Sequence, residues 1–264
     1  MGEFLKIMVM AVIQGLTEFL PVSSSGHLVL AKHFLGLESP GASLELFLHG
    51  GTLLAVVLYY RRKLMALLIG CFRFEKASVI YAAWVLLSMV PAGILFAFKG
   101  DEMVAKYDSP MFVGAMLCIT GLALTSLVFL RNRAERIRSF NALDAFLMGL
   151  AQAIAMLPGI SRSGSTIFAA RLAGVKPSEA AEFSFIMSIP VIAGALFMEV
   201  IKSGSAIRSV SLTHCFVGAV VAGVVGFLAI GILIRVLNSG KFWMFGLYCM
   251  AVGVLSMTFI SLGM

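Results

Sequence analysis

Between Gln14 and His27 the chain reads QGLTEFLPVSSSGH, which sets one carboxylate, three consecutive hydroxyls and an imidazole inside an otherwise apolar run. Ionisable groups at membrane depth are expensive, so Glu18 and His27 together read as a functional site. Pro21 stops the helix that carries Gln14 and Glu18, because it lacks an N–H and restricts the residue before it. Ser23, Ser24 and Ser25 then open a second helix, whose free N–H groups point back toward the break and suit an anion. A second stretch, PGISRSGST (158–166), brings Arg162, whose planar guanidinium matches phosphate oxygens in a fork. Ser161, Ser163 and Thr166 add hydroxyls there, and Gly159 and Gly164 let backbone N–H groups approach closely. One break therefore looks like an anion clamp and the other like an acid, base and nucleophile set. Charge stabilisation, an in-line nucleophile and a proton donor are what phosphoryl transfer needs.

The spacing within the first stretch sharpens this. Gln14 and Glu18 are four apart and share a helix face, and Ser24 and His27 are three apart at the start of the next helix. A serine hydroxyl is a weak nucleophile unless a base takes its proton. The preferred assignment is Ser24 as nucleophile, His27 as its base or proton shuttle, and Glu18 orienting His27 or binding a cation. The reverse assignment, His27 as nucleophile, stays open.

The elements that must position these groups are membrane helices. In 264 residues, 60% are hydrophobic and 12% charged, and the mean hydropathy is +1.02, which excludes an ordinary soluble protein. The net charge of +7 does not indicate nucleic-acid binding, because the basic residues sit in short loops between apolar spans. Cys71, Cys118, Cys215 and Cys249 are scattered and read as free thiols. The N-terminus lacks a small-residue cleavage site and is not read as a removable signal peptide.

The pattern predicts an all-α polytopic membrane protein in one domain, 1–264, built as an inverted repeat. Residues 3–20 and 24–35 form a re-entrant helix pair, each too short for the ~20 residues of a clean crossing. Full spans follow at about 44–60, 78–98 and 110–130. After the basic stretch RNRAERIRSF (131–140) the pattern returns. A helix over 142–157 stops at Pro158, a short helix runs to about Ala173, and spans follow at about 180–201, 213–235 and 242–262. That makes six full spans and four re-entrant helices, in repeats of about 1–133 and 141–264. Pro21 and Pro158, Ser24 and Ser161, and Glu45 and Glu182 all match at an offset of 137. Each half crosses an odd number of times, so the halves are inverted.

The basic residues set the orientation. Arg61, Arg62, Lys63, Arg73, Lys76, Arg131, Arg133, Arg136, Arg138, Arg171, Lys176, Arg235 and Lys241 fall on one side. Lys6, Lys32, Lys99, Lys106, Lys202 and Arg208 fall on the other, thirteen against six. The richer side is cytoplasmic. Both termini then lie outside, and the two breaks can meet near mid-membrane in a site opening to the outer face.

Plainer readings stand beside these. A serine run after a proline is commonly an N-cap, and an intramembrane Glu can be half of a structural ion pair. His49 is read as a helix-packing hydrogen bonder, and Glu45 and Glu182 as residues that snorkel or cap near span ends. Gly218, Ala219, Ala222, Gly223, Gly226 and Gly231 are read as close-packing residues.

QGLTEFLPVSSSGH and PGISRSGST resemble the two signature segments of the undecaprenyl pyrophosphate phosphatase family, also called bacitracin resistance proteins. EFSFIMSIP (182–190) is similar to a third family segment, and the likeness in layout covers essentially the whole chain. The resemblance implies a multi-pass enzyme of the bacterial inner membrane that removes the terminal phosphate of undecaprenyl pyrophosphate. Its product is the lipid carrier for peptidoglycan and other envelope polymers. Catalytic roles are implied for Glu18, Ser24, His27 and Arg162. Substrate contacts are expected from Gln14, Ser23, Ser25, Gly26, Gly159, Ser161, Ser163, Gly164 and Thr166. The expected partners are the lipid substrate and membrane lipid, with oligomeric state left open and a homodimer admitted. A divalent cation, Mg2+ or Ca2+, is also implied, with Glu18 as its candidate ligand. Gln14 stands where the family pattern admits Glu or Gln, which weakens any two-carboxylate chelate. The alternative class is a secondary transporter or lipid flippase, since broken helices in inverted repeats are transporter architecture.

Overall fold

A computed structural model describes residues 2–37, 41–106, 109–129, 140–203 and 211–263. Among them are eleven α-helices and no strand. The expected short helices are α1 (Glu3–Phe19), α2 (Ser24–Leu35), α7 (Ala142–Ile154) and α8 (Arg162–Leu172). The others are α3 (Gly41–Tyr59), α5 (Lys76–Lys106), α6 (Pro110–Ser126, its helical segment running on to Phe129), α9 (Pro177–Ser203), α10 (Leu212–Asn238) and α11 (Met244–Ser261). The chain is a polytopic membrane protein, with five helical segments long and apolar enough to cross a bilayer among the described residues. The expected sixth span, 44–60, falls on α3, whose stretch Leu44–Tyr59 is apolar and ends just before Tyr60.

Two connections differ from expectation. The stretch after Tyr60 is itself a helix, α4 (Arg61–Phe72), because nothing breaks it before Phe74 turns to a φ of 54°. α4 packs back on α5, where Gly70 faces Ser78. α5 also continues through 99–106, where a loop was expected. Most of the basic stretch 131–140 lies outside the described residues.

Lipid tails are as apolar as leucine, so helices in a membrane associate through close packing at small residues. α1 packs on α10, and a Cβ at Gly15 would fall 2.7 Å from the Ala222 carbonyl oxygen. α6 packs on α11, where a Cβ at Gly121 would fall 2.7 Å from the Gly246 carbonyl oxygen. α3 lies against α9 and α10, α5 against α7, and α8 against α9. The stripe on α10 expected to pack closely does so at Gly218, Ala219, Ala222, Gly223 and Gly226, whereas Gly231 faces open space. Behind the two breaks, Phe19, Met148, Ile167, Phe183 and Phe185 form a buried apolar floor. The Phe19 and Phe185 rings meet edge to face at 5.6 Å.

Candidate active site

α1 ends where Pro21 requires it. Leu20 is extended (φ −65°, ψ 146°), as a residue before proline must be. Ser23 then adopts φ 68°, uncommon for a residue with a Cβ and the kind of strain that collects at functional sites. Its hydroxyl accepts from the Gly26 N–H at 3.3 Å, so Ser23 is the N-cap of α2. That frees Ser24, the first residue of α2, to point its hydroxyl elsewhere. Ser24 Oγ donates to Glu18 Oε2 at 2.6 Å.

The second break repeats the device. Ser161 caps α8, accepting from the Gly164 N–H at 3.0 Å. Arg162, the first residue of α8, reaches across to Glu18 Oε1 at 2.6 Å through Nη2. The breaks are also joined through their backbones. Ser163 Oγ donates to the Leu20 carbonyl at 3.1 Å, and a Cβ on Gly26 would fall 3.0 Å from Gly159 Cα. Gly159 has φ 94° and lies against the Val113 carbonyl, so a side chain there is excluded twice over. Thr120 on α6 donates to the Gly159 carbonyl at 3.1 Å and accepts from the Ser161 N–H at 3.2 Å.

Glu18 is the hub. One oxygen accepts from Arg162, and the other accepts from Ser24 and, at 3.1 Å, from Gln14 Nε2. Two polar atoms beside it, Arg162 Nη1 and Gln14 Oε1, are buried with no hydrogen-bond partner among the described residues. A buried orphan donor on a guanidinium is costly unless something else satisfies it. Glu18, Ser24 and Arg162 line a cavity of about 350 Å³ together with Glu45, His49 and Glu199. A smaller recess of about 50 Å³ beside it is lined by Ser23, Ser24, Ser25, Ser161 and Arg162.

The chain matches the profile of the family "Bacitracin resistance protein BacA" over residues 7–255. It belongs to this family. It is 37% identical over 240 residues to an undecaprenyl-diphosphatase of Methanococcus vannielii, covering 91% of this chain and 94% of that one. It is 36% identical over 269 residues to one of Desulfatibacillum aliphaticivorans, covering 95% and 96%. It is 35% identical over 254 residues to one of Halothermothrix orenii, covering 96% of each.

The site of this family member departs from the sequence reading in three places. First, Glu18 does not orient His27. The His27 Nδ1 hydrogen bond goes to the Ser23 carbonyl at 2.9 Å, and Nε2 meets the Tyr248 hydroxyl at 2.9 Å with the two rings stacked. The helical geometry of α2 turns His27 toward α11 while Ser24 faces α1, so His27 braces the strained Ser23. Second, Thr166 and Ser163 are buried braces. Thr166 Oγ1 pairs with Ser184 Oγ at 2.6 Å and with the Arg162 carbonyl at 2.9 Å. Gly26, Gly159 and Gly164 serve the approach of the two breaks.

Third, Glu45 and His49 belong to the cavity wall. Their sequence signal is an acid and an imidazole four apart on one helix face, a spacing that snorkelling and packing also account for. Glu45 pairs with Lys32 of α2, while Glu182 pairs with Lys63 at 3.0 Å, away from the cavity. Thr120 and Tyr248 carried no sequence signal beyond being polar in apolar spans.

A Ca2+ ion takes about six to eight oxygen ligands, while Mg2+ is commonly held by one or two carboxylates together with substrate phosphates and water. Among the described residues no three His, Cys, Asp or Glu side chains gather to hold one. Both Glu18 oxygens are already occupied by hydrogen-bond donors, which a cation would have to displace. The donor set suits an anion beside Arg162 and does not fit a protein-built metal cage.

Proposed function

We infer that this protein is a membrane phosphatase that hydrolyses undecaprenyl pyrophosphate to undecaprenyl phosphate and inorganic phosphate. That reaction recycles the lipid carrier for cell-wall polymers and confers bacitracin resistance. The carrying observation is that Glu18 joins a serine hydroxyl to a guanidinium whose buried Nη1 has no partner among the described residues, with Ser24 and Arg162 both on the wall of one cavity. Arg162 Nη1 is placed to bind a phosphate oxygen. Ser24, at the N-terminus of α2, attacks the terminal phosphorus, and Glu18 takes its proton over the existing 2.6 Å bond. Ser23, Ser25 and Ser161 surround the smaller recess and offer hydroxyls to the remaining oxygens. Gln14 steadies Glu18 from behind, and His27 holds the break in shape.

The prenyl tail lies in an apolar groove of about 860 Å³ between α3, α10 and the end of α9. Leu46 and Leu196 line both this groove and the polar cavity, so the two adjoin. A headgroup at Arg162 would therefore leave its tail beside Gly50, Leu54, Val220 and Val224. Any divalent cation would enter on the pyrophosphate oxygens.

The architecture we infer is an inverted repeat with two re-entrant pairs, α1–α2 and α7–α8. Its support is local: both breaks use a serine cap three residues before a glycine N–H, each with a second hydroxyl two residues on, at 3.3 and 3.4 Å. α1 packs on α10 as α7 packs on α5, which is the exchange a two-fold relation requires. The charge bias supports termini on the outer side of the cytoplasmic membrane and a cavity that opens outward. A transporter on the same fold is not favoured. The test is release of inorganic phosphate from a prenyl pyrophosphate by purified protein. Movement of lipid across a bilayer without hydrolysis would reverse the conclusion.

A further inference from the structure

A phosphoserine intermediate must be hydrolysed, and the water that does so needs a base. His27 is poorly placed for this, because both its nitrogens are engaged by Ser23 and Tyr248. His49 on α3 is differently disposed. Its Nδ1 bonds the Glu45 carbonyl at 2.9 Å. A carbonyl only accepts, so Nδ1 carries the hydrogen and the neutral ring keeps its lone pair on Nε2. Nε2 lies 3.9 Å from Glu18 Oε2, beyond hydrogen-bond reach and at a spacing that a bridging water serves. The His49 side chain is 29% exposed and lines the same cavity as Ser24 and Arg162. The Glu18 oxygen it faces is the one that accepts the Ser24 hydroxyl. The remaining charged groups around the cavity are Arg162 from α8, Glu199 from α9, and Glu45 with its partner Lys32.

We propose that His49 is the general base for the second half of the reaction, the hydrolysis of phosphorylated Ser24. This rests on the reading of Ser24 as nucleophile. In the first half, the Ser24 oxygen bonds the terminal phosphorus and the phosphoanhydride bond breaks. The prenyl monophosphate leaves with the bond's electron pair, and Glu18 holds the serine proton. In the second half, a water oxygen bonds the same phosphorus while His49 Nε2 takes one of its protons. The Ser24 O–P bond breaks, the serine oxygen recovers its proton from Glu18, and His49 gives its proton to departing phosphate or to water. The sum is one water consumed for two phosphate products.

Rapid quench of prenyl pyrophosphate labelled in its terminal phosphate follows phosphoserine and inorganic phosphate, and chromatography of the unlabelled prenyl monophosphate follows the first half. In His49→Gln the prenyl monophosphate should still appear in a burst of about one per active chain. Inorganic phosphate release should fall on the order of 10²- to 10⁴-fold, the usual cost of losing a general base. Acid-stable phosphoserine should accumulate at Ser24. In His49→Ala, added imidazole should occupy the vacated space and speed phosphate release. Phosphate release at the parental rate in His49→Gln would overturn the proposal. So would equal slowing of both products with no trapped phosphoserine, or an imidazole-insensitive His49→Ala protein. The nucleophile reading fails on a separate result, parental turnover by Ser24→Ala.

Discussion

The sharpest consequence of the geometry concerns the fork of Arg162. Its two terminal nitrogens are differently placed: Nη2 pairs with Glu18 at 2.6 Å, while Nη1 is buried with no partner among the described residues. Lysine carries the same charge on a single ammonium with a compact donor set. In Arg162→Lys that ammonium can neutralise Glu18, but no donor then remains at the place of Nη1. Losing one donor aimed at transition-state charge costs about 2.7–4 kcal/mol, or about 10²- to 10³-fold in turnover. The ground-state pyrophosphate still senses the positive charge, so KM should change by only a few fold while kcat carries the loss. The assay is steady-state phosphate release in detergent micelles, with gel-filtration behaviour as the check on folding. A well-folded Arg162→Lys protein with kcat within about threefold of the parent, against the expected 10²-fold, would show that a point charge suffices and that the fork has no special part.

Other perturbations test neighbouring parts of the argument. Ser24→Ala should abolish turnover while leaving pyrophosphate binding, measured by equilibrium titration, largely intact. Glu18→Gln strands a buried guanidinium; breaking a buried pair typically costs about 3–5 kcal/mol, so thermal stability should fall and be partly restored by inorganic pyrophosphate. Gly50 lines the groove, and a Cβ there meets nothing within 4 Å. Gly50→Leu should therefore fold normally and raise KM for long prenyl pyrophosphates much more than for short ones; equal effects on both would place the tail elsewhere. Cysteines placed at Arg62 and Lys241 should be shielded from an impermeant outside reagent that labels positions 6 and 211; labelling of 62 and 6 from the same side would end the inverted topology.

What the sequence made legible follows from which interactions are local. Pro21, the serine run and Gly36 mark the ends of α2 within a few residues, because proline restriction, capping and the left-handed C-cap are all short-range rules. Arg162 and Glu18 could be singled out because charge in an apolar span is conspicuous wherever it lies. Their union across 144 residues was expected only from the matching of two breaks. What stayed hidden is side-chain direction. Ser23, Ser24 and Ser25 are indistinguishable by type, and only the φ of 68° at Ser23 decides which one caps and which one faces Glu18. His27 likewise points to Tyr248 and away from Glu18, since helix phase after a break cannot be counted until the break's own conformation is known. α4 was missed because its arginines and lysine suggested a loop, while its leucines gave it a helix to form.

The resting arrangement also explains why a carboxylate stands in an anion site at all. In the proposed reaction pyrophosphate enters beside Glu18, a like charge, which taken alone opposes binding. Yet without substrate, Arg162 would be a buried cation with no counter-ion, and Glu18 removes that penalty at 2.6 Å. The two requirements are compatible because the guanidinium is divided, with Nη2 serving the carboxylate and Nη1 left for the incoming oxygen. Gln14 extends the same logic. An amide at that position donates to Glu18 and adds no second negative charge beside the phosphate, whereas a glutamate there would need a cation or a proton to be tolerated. The neutral residue at position 14 therefore fits the proposed site, in which arginine, helix N-termini and hydroxyls meet the substrate's charge.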